Sequence, residues 1–271
     1  MKTNSCILNG SRRLLTAVVP AFTLCSLVAA QSAFGQDNLV AGPVMPVLTT
    51  APIRNIFVPV GFDDNDTVEI IVHGHFKDSC NKVGPALGTV DDDTKEVAVA
   101  LRSLKYEGNE CIKMQVPFLQ SIKLGQVPAG NYTVFAENLA DSVAPKTLQV
   151  AEATTATADD ALYAPVDAVD LSPVVGTKGR YTLTVSGIFP KSEVGCMKMQ
   201  ELKVLPFEDV LVVLPIAAFN SNVAECVKSS SPFERKFKIE KEVELQLKRD
   251  TLIHVRVLNG QSLNKVVEVE N

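Results

Sequence analysis

Two histidines one residue apart, His73 and His75 in "HGHFKD", are the side chains of this sequence best placed to do chemistry. In an extended strand residues i and i+2 point to the same side, so both imidazoles could reach one metal ion, with Asp78 as a third ligand. Such a set would make the chain a metal-binding protein or a metal-dependent hydrolase centred on His73 and His75. The competing reading is a pair of structural or surface histidines. The only other histidine, His254, is far along the sequence. Two carboxylate-rich stretches, "DDNDTVE" at 63–69 and "DDDTKE" at 91–96, are of the kind calcium favours. Both lack the spacing and the glycine of an EF-hand loop and read as solvated turns. No Gly-x-Ser-x-Gly elbow and no phosphate-cradling glycine loop occurs. There is no tryptophan and there are four tyrosines, which argues against a carbohydrate-binding platform.

Six cysteines are present, and two of them, Cys6 and Cys25, fall in a stretch built to be removed. Residues 1–35 carry Lys2, Arg12 and Arg13 without an acid, then the apolar run "LLTAVVPAFTLCSLVAA", then small residues at Ala33 and Gly35. That order is a secretory signal peptide, with cleavage before Gln36. No later segment is apolar for long enough to be a membrane-spanning helix, so none is expected in the mature protein. Export leaves Cys80, Cys111, Cys196 and Cys226, an even number in an oxidising compartment, periplasmic or extracellular, and therefore disulfides. No thiolate nucleophile would remain. The whole chain has formal charge −5, and the mature part has 23 basic against 31 acidic residues. Repulsion from phosphates excludes a nucleic-acid partner.

The elements that hold these residues are written twice. "ECIKMQVPF" at 110–118 returns as "ECVKSSSPF" at 225–233, with Glu, Cys, Lys, Pro and Phe identical. "HGHF" at 73–76 answers "SGIF" at 186–189, Cys80 answers Cys196, "NYTVFAEN" at 131–138 answers "LIHVRVLN", and "KTLQV" at 146–150 answers "KVVEV". A period near 115 residues is too long for a solenoid and suits a duplicated domain. Residues 36–51 read as a leader, partly disordered. Domain 1 is then 52–151, a small-residue acidic linker follows at 152–163, and domain 2 is 164–271. Within each copy the apolar period is two, as in "DTVEIIVHG" and "YTLTV", and turn residues punctuate it at short intervals. "DDDTK" and "PFED" read as hairpin turns, and "VELQL" at 243–247 alternates as a strand does. The expected fold is all-β: two tandem β-sandwiches of about seven strands each.

Nearly constant gaps of 31 and 30 residues favour the pairs Cys80–Cys111 and Cys196–Cys226; pairs across the domains would require the two modules to pack closely. In the repeated nonapeptide the proline points to a strand edge or bulge, and Phe118 or Phe233 returns to the core. Glu110, Lys113, Glu225 and Lys228 are the polar remainder that a ligand site would use.

"ECIKMQVPFLQSIKLGQVPAGNYTVFAEN" at 110–138 resembles a module of secreted bacterial proteins with a cysteine, a Pro-Phe pair and a "Leu-Pro-Ala-Gly-Thr-Tyr-Thr-Val" hairpin. The Gly-Cys usual in that module stands at Gly195-Cys196, whereas the first copy has Ser79-Cys80, and the second copy replaces "PAGNYTV" by "LKRDTLIHV". The resemblance implies an immunoglobulin-like sandwich and an exported location, and no activity. The expected function is a non-catalytic binding or structural module that contacts a protein or cell-envelope component, needing no cofactor. A further alternative is a protease inhibitor presenting residues 81–95 as a disulfide-braced loop.

Overall fold

Strand pairing divides the protein into two sets of sheets. A computed structural model describes residues 45–107, 110–137, 144–176, 180–191, 195–222, 224, 226, 230–239 and 250–268. The signal sequence, most of the leader, "VELQL", Glu225 and Lys228 lie outside the described residues. In the first half the strands are β1 (Val47–Thr50), β2 (Ile53–Phe57), β3 (Phe62–Asp63), β4 (Val68–Phe76), β5 (Asn81–Asp91), β6 (Glu96–Lys105), β7 (Val116–Gly125), β8 (Gly130–Ala136) and β9 (Lys146–Ala151). One sheet runs β2-β4-β7, and the other runs β1-β6-β8-β9-β3 with β5 also on β6. The second half has β10 (Val166–Pro173), β11 (Tyr181–Phe189), β12 (Cys196–Phe207), β13 (Val210–Asn220), β14 (Ser231–Lys238), β15 (Asp250–Val257) and β16 (Gln261–Glu268). Its sheets run β10-β11-β14 and β12-β13-β15-β16. The architecture is all-β, with no α-helix among the described residues.

Alternation explains each core. Ile70, Val72 and Phe76 of β4 and Phe118 and Ile122 of β7 meet Val97, Val99 and Leu101 of β6 and Tyr132 and Val134 of β8. In the second half, Leu183 and Val185 of β11 meet Leu211 and Val213 of β13 and Ile253 and Val255 of β15. Each half is thus a pair of sheets closed over one apolar layer, as a sandwich requires.

The duplication is visible in the register. Gly74 pairs with Phe118 across β4 and β7, and Gly187 pairs with Phe233 across β11 and β14. Phe76 and Phe118 have ring centroids 4.7 Å apart, and Phe189 and Phe233 4.5 Å. A Cβ on Gly74 would lie 2.2 Å from the carbonyl oxygen of Pro52 and 2.5 Å from Phe118 Cζ. On Gly187 it would lie 2.0 Å from the carbonyl oxygen of Pro165 and 2.9 Å from Phe233 Cζ. Only glycine fits beneath the aromatic ring, so the central Gly of "HGHF" and "SGIF" and the Phe of the nonapeptide form one joint. Pro117 and Pro232 both sit on edge strands, β7 and β14, where proline is tolerated. Both expected disulfides are present, Cys80–Cys111 and Cys196–Cys226.

Four expectations are corrected. "PAGNYTV" is not a hairpin: β7 pairs with β4 and β8 with β9 and β6, so the turn crosses between sheets. Tyr132 Oη lies 2.6 Å from Asp92 Oδ1 and 2.9 Å from the carbonyl oxygen of Pro128, tying the crossing to the turn after β5. "PFED" contracts to a turn at Glu208 and Asp209, because Pro206 and Phe207 still pair with Leu211 and Val210. Residues 81–91 are not a loop that could serve as inhibitor bait. They form an eleven-residue strand paired with β6, joined by the expected "DDDTK" turn. Finally, "DDNDTVE" is not a solvated turn, since Asp63, Asp66 and Glu69 are all buried.

The last correction has a structural cause. The residues Pro43–Asn271 form one compact unit. Phe57 and Ile71, on the outer face of the β2-β4-β7 sheet, pack against Val210, Val212 and Leu252 of the second half. β4 and β13 are therefore covered on both faces, which explains why "IIV" at 70–72 and "VLVVLP" at 210–215 run apolar without polar interruption.

Candidate functional site

An open cleft of about 1000 Å³ runs along the junction of the two halves. From the first half it is lined by Arg54, His73 and His75, and from the second by Asp250, Lys265 and Glu268. β4 positions the histidines. Its odd-numbered residues from Ile71 onward face away from the first core, and where Ile71 ends the apolar contact the next two positions on that face are His73 and His75. Their ring centroids are 5.0 Å apart with the planes tilted by 68°. Burial is the main influence holding the pKa of His73 below its ordinary value, reinforced by His75 and partly opposed by the carboxylate of Asp250. His73 is therefore neutral at neutral pH. His75 Nδ1 is buried and has no hydrogen-bond partner.

Asp78 does not join them. Its Oδ1 accepts from the backbone N–H of Cys80 at 3.0 Å and from Asn81 Nδ2 at 2.8 Å, bracing the turn after β4. It lies beside Cys80 and Cys111, whose sulfurs are consumed in the disulfide and cannot act as thiolate ligands. Sequence spacing brings the histidine pair together. The facing carboxylate, Asp250, comes from the other half, and no sequence distance announces it. Of the nonapeptide's polar residues, Glu110 and Lys113 are exposed and apart from the cleft lining.

A second polar cluster lies deeper in the junction. Arg256 Nη1 donates to Asp66 Oδ2 at 3.1 Å, and Arg256 also bonds the carbonyl of Gly61 and lies over the Phe62 ring, 4.4 Å from its centroid. Asp66 also accepts from the backbone N–H groups of Asp63 and Asp159. Glu69 accepts from Ser121 and stands 3.7 Å from His254 Nδ1, which is 2.8 Å from Asn264 Oδ1. Complete burial holds the pKa of His254 below its ordinary value, against the pull of Glu69. Lys146 spans the same junction, 3.1 Å from Asp209 and 2.7 Å from Glu208.

These burials make stability depend on pH. His254 and His73 resist protonation when folded and accept it when unfolded, near 6.5. The unfolded chain binds more protons below that value, so stability is complete above it and falls as pH drops from about 6.5 towards 5. Urea midpoints measured across that range should decline, and the decline should be shallower in His254→Gln; an equal slope in the variant would assign the effect to other groups.

Residues 70–144 match the family model described as the ORF11 beta-sandwich domain. The match begins in β4, includes both cleft histidines and Cys80–Cys111, and ends before β9. No curated protein and no solved structure matches the chain.

Proposed function

We propose that this is an exported, non-catalytic binding module whose partner, a protein or a cell-envelope component, is recognised in the cleft between the two halves. The cleft itself carries the reading: it is open, large enough for several side chains, and set with both signs of charge on a double-sandwich frame. Among the described residues its lining includes no serine, threonine or cysteine beside the histidines, which supports binding over nucleophilic catalysis. The paired disulfides accord with export to an oxidising compartment. Free strand edges add backbone donors and acceptors; β12 and β14 flank a further groove of about 660 Å³.

The test is retention of envelope and secreted proteins on the immobilised oxidised protein, beside Arg54→Glu and Asp250→Lys variants. One component held near stoichiometry by the native protein and lost from the charge-reversed variants is the expected result. Retention indifferent to both changes removes the cleft from the reading, and steady turnover of a substrate by the pure protein removes the non-catalytic reading.

A further inference from the structure

The edge of the second half carries an inference separate from the cleft between the halves. We propose that the groove between β12 and β14 receives an extended, acidic segment of a partner polypeptide, which adds to the edge of β14 and places a carboxylate on Arg235.

The groove is bounded by strand edges. Cys196–Met199 of β12 and Ser231–Arg235 of β14 line it as consecutive residues. A sheet face would contribute every second residue, so these runs present backbone as well as side chains. Among the described residues β12 pairs only with β13, and β14 only with β11. Of the two edges, β14 is the regular one. It pairs with β11 from Ser231 to Lys238 without a shift, whereas β12 breaks register between Met199 and Glu201, as a bulge does. Pro232 has no N–H to give, so the edge open to an added strand runs from Phe233 to Lys238, about 20 Å.

In the first half the same edge is closed. Its counterparts β5 and β7 pack closely on one another, and β12 and β14 do not. The cause is one residue. Ala51 donates to the carbonyl of Leu101 and Ala164 to that of Pro215, so Val99 corresponds to Val213. Gly88 pairs with Val99, and Val204 pairs with Val213. A Cβ on Gly88 would lie 2.3 Å from Leu124 Cδ2 of β7. The second half has that Cβ and two methyl groups more in Val204, which packs on the core and holds β12 off β14.

Arg235 sets the chemistry. It lies opposite Val185, a fully buried core residue, so it stands on the core-facing side of β14 between Phe233 and Phe237. It is nonetheless exposed, and among the described residues no carboxylate pairs with it: Glu234 is held by Lys236 at 3.2 Å. Lys198 on the facing edge is exposed as well. The two strands carry five basic residues against two acidic ones, on a chain that is acidic overall. Half-buried Met197, Met199 and Phe233 give the groove an apolar floor that adapts to its occupant. Side chains directly opposite across two strands share a face, so the added strand should turn inward an apolar, an acidic and an apolar residue at alternate positions, against Phe233, Arg235 and Phe237. Basic residues on a bare edge deter indiscriminate pairing. Here the same charge makes the edge selective, admitting a strand that brings a carboxylate.

The probe is the capped, fluorescein-labelled peptide Thr-Val-Thr-Asp-Thr-Val-Thr, titrated into the purified oxidised protein by anisotropy, with amide NMR to locate it. Saturable binding is expected, with shifts concentrated in 196–199 and 231–238. Arg235→Glu should weaken it by about tenfold or more, the effect of losing one charge-assisted hydrogen bond. That variant should instead prefer the peptide with Lys in place of Asp, a gain that a merely misfolded protein would not show. Absence of saturable binding, or shifts confined to other strands, overturns the site. Equal binding of Val-Val-Asp-Thr-Thr-Thr-Thr, which has the same composition without the alternation, reduces the effect to charge attraction and overturns the added strand. A dimer in sedimentation equilibrium that Arg235→Glu dissociates gives the edge to a second copy of this chain and overturns the partner. Arg54→Glu in the cleft should leave the peptide affinity unchanged, so failure at either site leaves the other reading standing.

Discussion

Replacing Arg256 by methionine should lower the stability of this protein by about 3–5 kcal/mol, the usual effect of removing one member of a buried ion pair. Arg256 and Asp66 are both more than nine-tenths buried, and they are separated by 190 residues in sequence. Methionine can replace the aliphatic stem of Arg256 and its contact with Phe62, so the loss reports the charge together with its hydrogen bonds to Asp66 and the carbonyl of Gly61. What remains is a carboxylate at the junction with Asp63 and Glu69 buried nearby and no cation to balance it. Urea unfolding at neutral pH reads the effect. The double variant Arg256→Met/Asp66→Asn should recover a substantial part of it, because the stranded charge and not the missing pair is the larger cost. A single-variant loss below about 1 kcal/mol would place the pair among surface-type bridges, which contribute little.

The same pair shows where sequence reading ends. The sandwich strands were legible because one face of each is buried and the other is wet, which writes a period of two into segments such as "EVAVALRSL". The disulfides were legible because the duplication repeats their spacing. The joint beneath Phe118 is half legible: the repeated Gly and Phe are evident, while the carbonyl that completes it belongs to "API" at 51–53, repeated as "APV" at 164–166, a match too short to stand out. The junction of the halves is only faintly legible, in "IIV" at 70–72 and "VLVVLP" at 210–215, where a strand of a free-standing sandwich would alternate. Its polar part gives no local signal, because Asp66 in an acidic stretch looks like any solvated turn until Arg256 arrives from the other half. Asp250 is hidden from the histidines for the same reason: strand spacing reports neighbours on one strand and is silent about what packs across from it.

The nonapeptide that the chain repeats should be worth most through its cysteine. Cys80 and Cys111 are separated by 31 residues, and Cys196 and Cys226 by 30. In the chain-entropy account a loop of that length, once closed, destabilises the unfolded state by about 3–4 kcal/mol. Cys80→Ala/Cys111→Ala and Cys196→Ala/Cys226→Ala should therefore each lower stability by that amount, and by nearly equal amounts. Native contacts give a reason for the first bridge to matter beyond entropy. The segment 110–115 is exposed throughout, and two hydrogen bonds between Ile112 and Ser79 join the disulfide in tying it to the body. That segment leads into Gln115 and Pro117, which form part of the cleft wall opposite Asp250 and Glu268. Loss of Cys80–Cys111 should thus loosen the wall as well as the fold, speeding amide exchange in 110–119, whereas loss of Cys196–Cys226, whose Cys196 lines the separate groove beside β14, should leave exchange there unchanged. Denaturant midpoints and hydrogen-exchange rates of the two double variants, run side by side, separate these effects. Equal loss of stability with unequal loss of protection in 110–119 is the expected pattern. Equal loss of both would mean that the bridges act on the molecule as a whole, and that the wall of the cleft is held by the strands alone.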